Sequence, residues 1–305
     1  MSRKALEPPR LLLAAASLTH GARMPRPRMI EIAERYREPE SLAVTLSKAL
    51  DAGAEGVLAV PAPALDAALV ELGRRVPIYA VLPDPTPSGR YDLQPTRLDP
   101  LEGTPGAAGF GTRLRLAWTR ATRPWAFAQR DFGLLVRLAL EARASIIPRR
   151  ALHGVVVAAG VTDLALAGGQ HHFFEKLTRW IRGRFRARAA FETMNLGLLL
   201  ARLREWDVRP DFVVGPVNPR GLMMKPSRDE TLDEISRSAV PVVATQLRAR
   251  GLCTLDEGAR FAFEHGVLGL APDLAEMDDV GAELARIRGW RDSKVPPRLE
   301  GERRA

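Results

Sequence analysis

Eight short apolar runs recur along the chain and constrain its fold more than any other feature. They are "RLLLAAAS", "EGVLAV", "PIYAVLP", "HGVVVAAG", "RAAFETM", "DFVVGPV", "PVVATQ" and "GVLGLA". Each is nearly continuous in Val, Ile, Leu and Ala, which is the requirement of a parallel strand covered on both faces rather than of a half-exposed one. The segments between them carry a helical period. "ESLAVTLSKALDAGA" puts Leu42, Leu46 and Leu50 on one face, and "LGLLLARLREW" brings Leu199, Leu203 and Trp206 near one another. Eight strand–helix alternations in 305 residues predict a single (β/α)8 TIM barrel over 1–305, with a doubly wound sheet as the competing topology.

One connection breaks the rhythm. Almost seventy residues separate Asp84, after the third run, from His153, before the fourth, where one helix needs about twenty to thirty. The long insertion after strand three, over 84–130, starts as the Pro/Gly-rich "DPTPSGRYDLQPTRLDPLEGTPGAAGFG". It leaves the strands at their carboxyl ends, the ligand-binding face of a barrel, and reads as a lid or, equally, as a surface excursion or oligomer contact. Arg113, Arg115, Arg120, Arg123 and Arg130 alternate there with Trp118, Trp125 and Phe127. That composition fits a nucleic-acid or membrane patch, and it also fits an Arg-rich helix whose aromatics pack inward. "GAAGFG" follows no apolar strand and reads as a hinge rather than a phosphate loop.

The net charge of +9 points formally to polyanions, but only five of the 45 basic residues are lysine. An arginine bias of that size is what a GC-rich genome produces, so nucleic acid is not the expected partner. A lone cysteine, Cys253, can form neither an internal disulfide nor a cysteine metal cluster and fits a reducing cytoplasm. The apolar run Leu11–Leu18 is short for an export signal and reads as the first strand, and no run approaches the ~18 apolar residues of a membrane span. The expected location is therefore cytoplasmic.

From the fifth run onward the chain resembles the aldo-keto reductase family. The resemblance rests on "ETMNLGLLLARLREWDVRPDFVVGPVNP", "SAVPVVATQLRARG" and "LDEGARFAFEHGVLGLAPDLAEM", with a weaker echo in "LSKALDAGAEGVLAV". It implies a (β/α)8 barrel with NADP as cofactor. It also implies an aspartate and a tyrosine after strand two, a lysine on strand three and a histidine on strand four, the lysine–aspartate pair lowering the pKa of the proton-donating tyrosine. Those positions align with Leu58, Pro63, Leu82 and Gly160, none of which titrates. The Ser-Asn pair that holds the nicotinamide aligns with Glu192 and Thr193, the strand-six glutamine with Val214, and the stacking tyrosine with Thr245. Where the family binds the extra phosphate of NADP, this chain carries Asp273, Glu276, Asp278 and Asp279, which repel it. The expectation is a barrel that has kept the architecture and lost the catalytic tetrad and the nicotinamide site.

The polar residues expected at the strand carboxyl ends define the candidate site. Glu192 ends an apolar strand, so its carboxylate must point into the mouth or bear a desolvation cost; it is the candidate base or metal ligand, an ion pair with an arginine being the other reading. Asp163 and His20 are its candidate partners, Asp163 being equally placed to cap the helix after strand four. Asn195, Asn218, Arg220, Gln246 and Arg248 are candidate substrate ligands, because amides and guanidinium groups together suit a small anion such as a carboxylate or phosphate. The adjacent His171 and His172 point about 100° apart on a helix and read as a surface pair. Three functions remain open. They are a nicotinamide-free enzyme acting on a small anionic or carbonyl-bearing compound, an oxidoreductase with a rebuilt cofactor site, and a non-catalytic binding barrel.

Overall fold

The computed structural model describes residues 7–15, 18, 26–82, 132–144 and 147–294. His20 and the insertion over 84–130 lie outside the described residues. In chain order the elements are β1 (Leu13–Ala14), α1 (Arg26–Arg35), α2 (Pro39–Asp51), β2 (Val57–Ala59), α3 (Pro63–Leu72), β3 (Ile78–Leu82), α4 (Phe132–Ala144), β4 (Leu152–Val157), α5 (Ala159–Ala167) and α6 (His171–Phe185). They continue with β5 (Arg188–Glu192), α7 (Leu196–Glu205), β6 (Phe212–Pro216), α8 (Arg228–Arg237), β7 (Val242–Thr245), α9 (Leu255–Glu264), β8 (Gly269–Leu270) and α10 (Val280–Lys294). Seven strands fall within the apolar runs, and β4 begins one residue ahead of its own, at Leu152.

The strands form one sheet in the order β1 to β8, and every neighbouring pair is parallel. Beyond β8 the ladder reaches back to the first strand. The amide of Leu12 donates to the Leu270 carbonyl at 2.9 Å, that of Ala14 to Pro272 at 2.9 Å, and that of Leu270 to Arg10 at 3.0 Å.

Because side chains alternate along a strand, each strand serves two cores. One face of the sheet carries Ala14, Leu58, Tyr79, Val81, Val156, Ala190, Phe212, Val214 and Val243, which pack with Leu12, Val60, Ala158 and Ala271 into a cluster made from all eight runs. The other face, with Leu13, Val57, Ile78, Val155, Phe191 and Val213, packs under the helices. Both faces are therefore dry, which is why the runs are apolar throughout.

Helix α6 illustrates the outer packing. Phe173, Phe174, Leu177 and Ile181 recur at helical spacing and are buried, and the Phe174 ring lies 5.0 Å from Phe191 and 5.6 Å from Trp206. Local signals place other helix starts. Thr254 and Glu257 form a reciprocal capping box on α9, Ser227 accepts from the Glu230 amide at α8, and α2 and α3 begin with proline.

At the amino ends of the strands the inner core is closed by a polar contact. Arg188, which shares a strand face with Ala190, donates to the Tyr79 hydroxyl at 2.5 Å. Gly154 makes room for that tyrosine, since a Cβ there would lie 2.6 Å from the ring. Burial raises the pKa of Tyr79, and Arg188 opposes the rise.

Candidate functional site

The same alternation selects what stands at the carboxyl ends. Ala190, Val243 and Ala271 face the inner core, so the residues two further on, Glu192, Thr245 and Asp273, occupy the next inward layer. This layer is where the apolar stripe becomes polar. Thr245 and Asp273 do not stand out in sequence as site residues, and only the alternation along their strands assigns them the inward side that Glu192 also takes.

Helix α5 begins at Ala159 with Ala158 in the cap position and no side-chain cap of its own. The Glu192 carboxylate takes that place by accepting from the Ala159 amide at 3.2 Å. A carboxylate at a helix amino terminus is favoured by the exposed amides and by the helix dipole.

Asp163, one turn into α5, does not cap its own helix. It accepts from the Thr193 hydroxyl and, at 3.1 Å, from the Met194 amide, while Thr193 Oγ1 accepts from the Asn195 amide at 2.9 Å. Two positions on α5, the Ala159 amide and the Asp163 carboxylate, therefore hold the end of β5 and the turn that follows it. Asn195 stands at the cap position of α7 without a side-chain cap bond.

The predicted substrate ligands divide. Asn218 is fully buried, and both ends of its amide are engaged with Leu222, Nδ2 donating to the carbonyl and Oδ1 accepting from the amide, each at 2.9 Å. Its side chain holds the β6 turn in shape. Arg220 donates from Nε to the Leu252 carbonyl at 3.2 Å and is exposed. Gln246 adopts φ +54°, and its carbonyl accepts from the Ala249 amide at 3.0 Å.

Arg248 is placed differently. Its Nη1 donates to the Glu276 carbonyl, whereas its Nε is buried with no hydrogen-bond partner among the described residues. Glu276 belongs to a 3₁₀ turn, Leu274–Glu276, whose cap Asp273 accepts from the Ala275 amide at 2.9 Å. Arg28 of α1 binds the same turn by donating to the Ala275 carbonyl at 3.0 Å.

Enclosed by these contacts, the Glu276 carboxyl has its pKa raised from an ordinary 4.5 to about 7. Burial is the main cause, Asp273 adds to it, and Arg248 pulls the other way. A further carboxyl at this end of the sheet, Asp66 in the first turn of α3, is also raised by burial. In sequence the signal for this acidic group is the charge run after the last strand, which by itself shows nothing about burial.

The arrangement can hold a proton near neutrality at Glu276 and present a guanidinium beside it. Among the described residues, no group of three or more His, Cys, Asp and Glu side chains is placed to hold a metal ion, and no helix is long and apolar enough to cross a membrane. No protein-family model and no curated protein matches the chain.

Proposed function

We propose that the chain is a (β/α)8 barrel on an aldo-keto-reductase-like plan whose mouth performs acid–base chemistry on a small anionic or carbonyl-bearing metabolite without nicotinamide. The barrel reading is supported by the hydrogen bonds from β8 to the first strand and by the inner cluster drawn from all eight runs. Loss of the reductase chemistry is supported by the residues at the expected tetrad positions. Leu58 and Leu82 are buried strand residues, Pro63 opens α3, and Gly160 lies in α5.

One observation carries the catalytic reading. Glu276 titrates at about 7 beside Asp273, next to an arginine with a buried, unpartnered Nε among the described residues. A carboxyl poised at that pKa can both take and return a proton at neutral pH. Arg248 would hold the anionic group or the developing negative charge of the substrate, a role in which a fixed guanidinium is more effective than a mobile ammonium. Glu192 and Thr245 would line the inward layer around it.

The test is proton exchange in heavy water, followed by NMR, over small 2-oxo acids, hydroxy acids and sugar phosphates. One of them should lose its exchangeable C–H signal, with Glu276→Gln slowing the loss by about 10²-fold or more and Arg248→Lys raising KM. Exchange unaffected by Glu276→Gln would overturn the assignment of the base. Saturable NADPH binding, seen by its fluorescence, would overturn the nicotinamide-free reading in favour of a rebuilt oxidoreductase.

A further inference from the structure

Away from the strand ends, α4 and α6 enclose a cleft of about 260 Å³, lined among the described residues by Gly133, Arg137, Gln170, His172, Phe173, Lys176 and Leu177. Its floor is apolar, from Phe173 and Leu177, and its rim is cationic. Among the described residues this charge has no acidic partner. The other cations of α6 have acidic partners: Arg179 pairs with Glu175 at 2.6 Å, Arg182 with Asp211 at 3.0 Å and Arg184 with Glu141 at 2.6 Å. Arg137, which is half-buried, and Lys176 stand among no such pairs and make no other polar contact among the described residues. The acidic group nearest in sequence, Glu175, is engaged by Arg179 and lies 3.8 Å from His172.

A half-buried guanidinium facing a cleft bears a desolvation cost that an anion would offset. Gln170 makes no capping bond at the start of α6, so its amide is free to donate. The cleft is also smaller than the ~300–1,000 Å³ of a site for a drug-sized ligand. We propose that it binds a small phosphate dianion, either free phosphate or the phosphate of a short phosphomonoester, between Arg137 and Lys176, with Gln170 and His172 at the rim. Two cations contributed by two helices match two negative charges better than they match a single carboxylate. The site is independent of the acid–base chemistry proposed at Glu276.

The experiment is calorimetric titration of the full chain with inorganic phosphate and with glycerol phosphate at low ionic strength. Saturable one-to-one binding is expected, weakened about tenfold or more by Arg137→Gln and by Lys176→Gln, and unchanged in Arg202→Gln, which alters net charge equally on α7. Melting temperatures close to that of the parent chain would show that the variants are folded; Lys176, being exposed, is the safer of the two. Tighter binding of glycerol phosphate would identify a phosphomonoester as the ligand, and equal binding would identify free phosphate. Absence of saturable binding, or equal loss in Arg202→Gln, would overturn the proposal.

Discussion

The carboxylate of Glu192 accepts from the backbone amide of Ala159 across 3.2 Å, so that β5 supplies the amino-terminal cap that α5 lacks. The bond joins two consecutive strand–helix units at the end of the sheet where the inward residues turn polar. Glu192→Ala should lower stability by about 1 kcal/mol, the usual worth of a helix cap. Glu192→Gln, which keeps an acceptor and loses the charge, should fall between the two. Chemical denaturation with an unchanged m-value would check both.

Glu276 gives stability a dependence on pH. Its folded pKa, about 7, lies above the ordinary 4.5 of the unfolded chain, so the folded state favours the protonated form. This contribution is complete below about pH 4.5 and is lost as pH rises through 7. Glu276→Gln should abolish the loss and leave the variant more stable than the parent at pH 8, by on the order of 2 kcal/mol after allowance for the side chain's residual contact with water. Urea midpoints at pH 5 and pH 8 test it. A parent and variant with parallel profiles would contradict the burial of this carboxyl.

Gly154 on β4 leaves no room for a side chain, because the Tyr79 ring would come within 2.6 Å of an added Cβ. Gly154→Ala is expected to cost about 1–3 kcal/mol through overpacking. Tyr79→Leu in the same chain should recover part of that loss, and the thermal melts of the double-mutant cycle measure the coupling.

Asn218→Ala removes both hydrogen bonds to Leu222 and leaves a backbone amide and a carbonyl of the β6 turn without their side-chain partner. A loss of about 2 kcal/mol is expected in equilibrium unfolding. Phosphate binding at the α4–α6 cleft should not change.

The strands are legible in sequence because burial on both faces leaves no polar alternation to confuse with a helix, and "RAAFE" even shows both ends of its inward stripe as charges. Glu192 stands out for the same reason. Its partner does not, since the amide it meets lies 33 positions earlier and is brought to it only by the pairing of β4 with β5. Asn218 next to Pro219 resembles a ligand-holding turn residue, yet the turn itself takes both ends of its amide. Glu276 reads in sequence as one acid among several. What raises its pKa is burial, with Asp273 adding to it and Arg248 opposing it, at a turn that Arg28 also contacts, and this is a property of packing between distant segments rather than of residue type.

The hydrogen bonds between Leu12, Ala14 and the Leu270–Pro272 segment also have a consequence for how the molecule comes into being. Strand β1 finds its second neighbour only after nearly all of the described chain has been synthesised. Until then one margin of β1 and one margin of the growing sheet expose unpaired backbone groups, the template on which strands of separate molecules join. A chain stopped before Leu270 keeps both margins open, so premature termination would favour aggregation, and nascent chains would rely on chaperone cover late in translation.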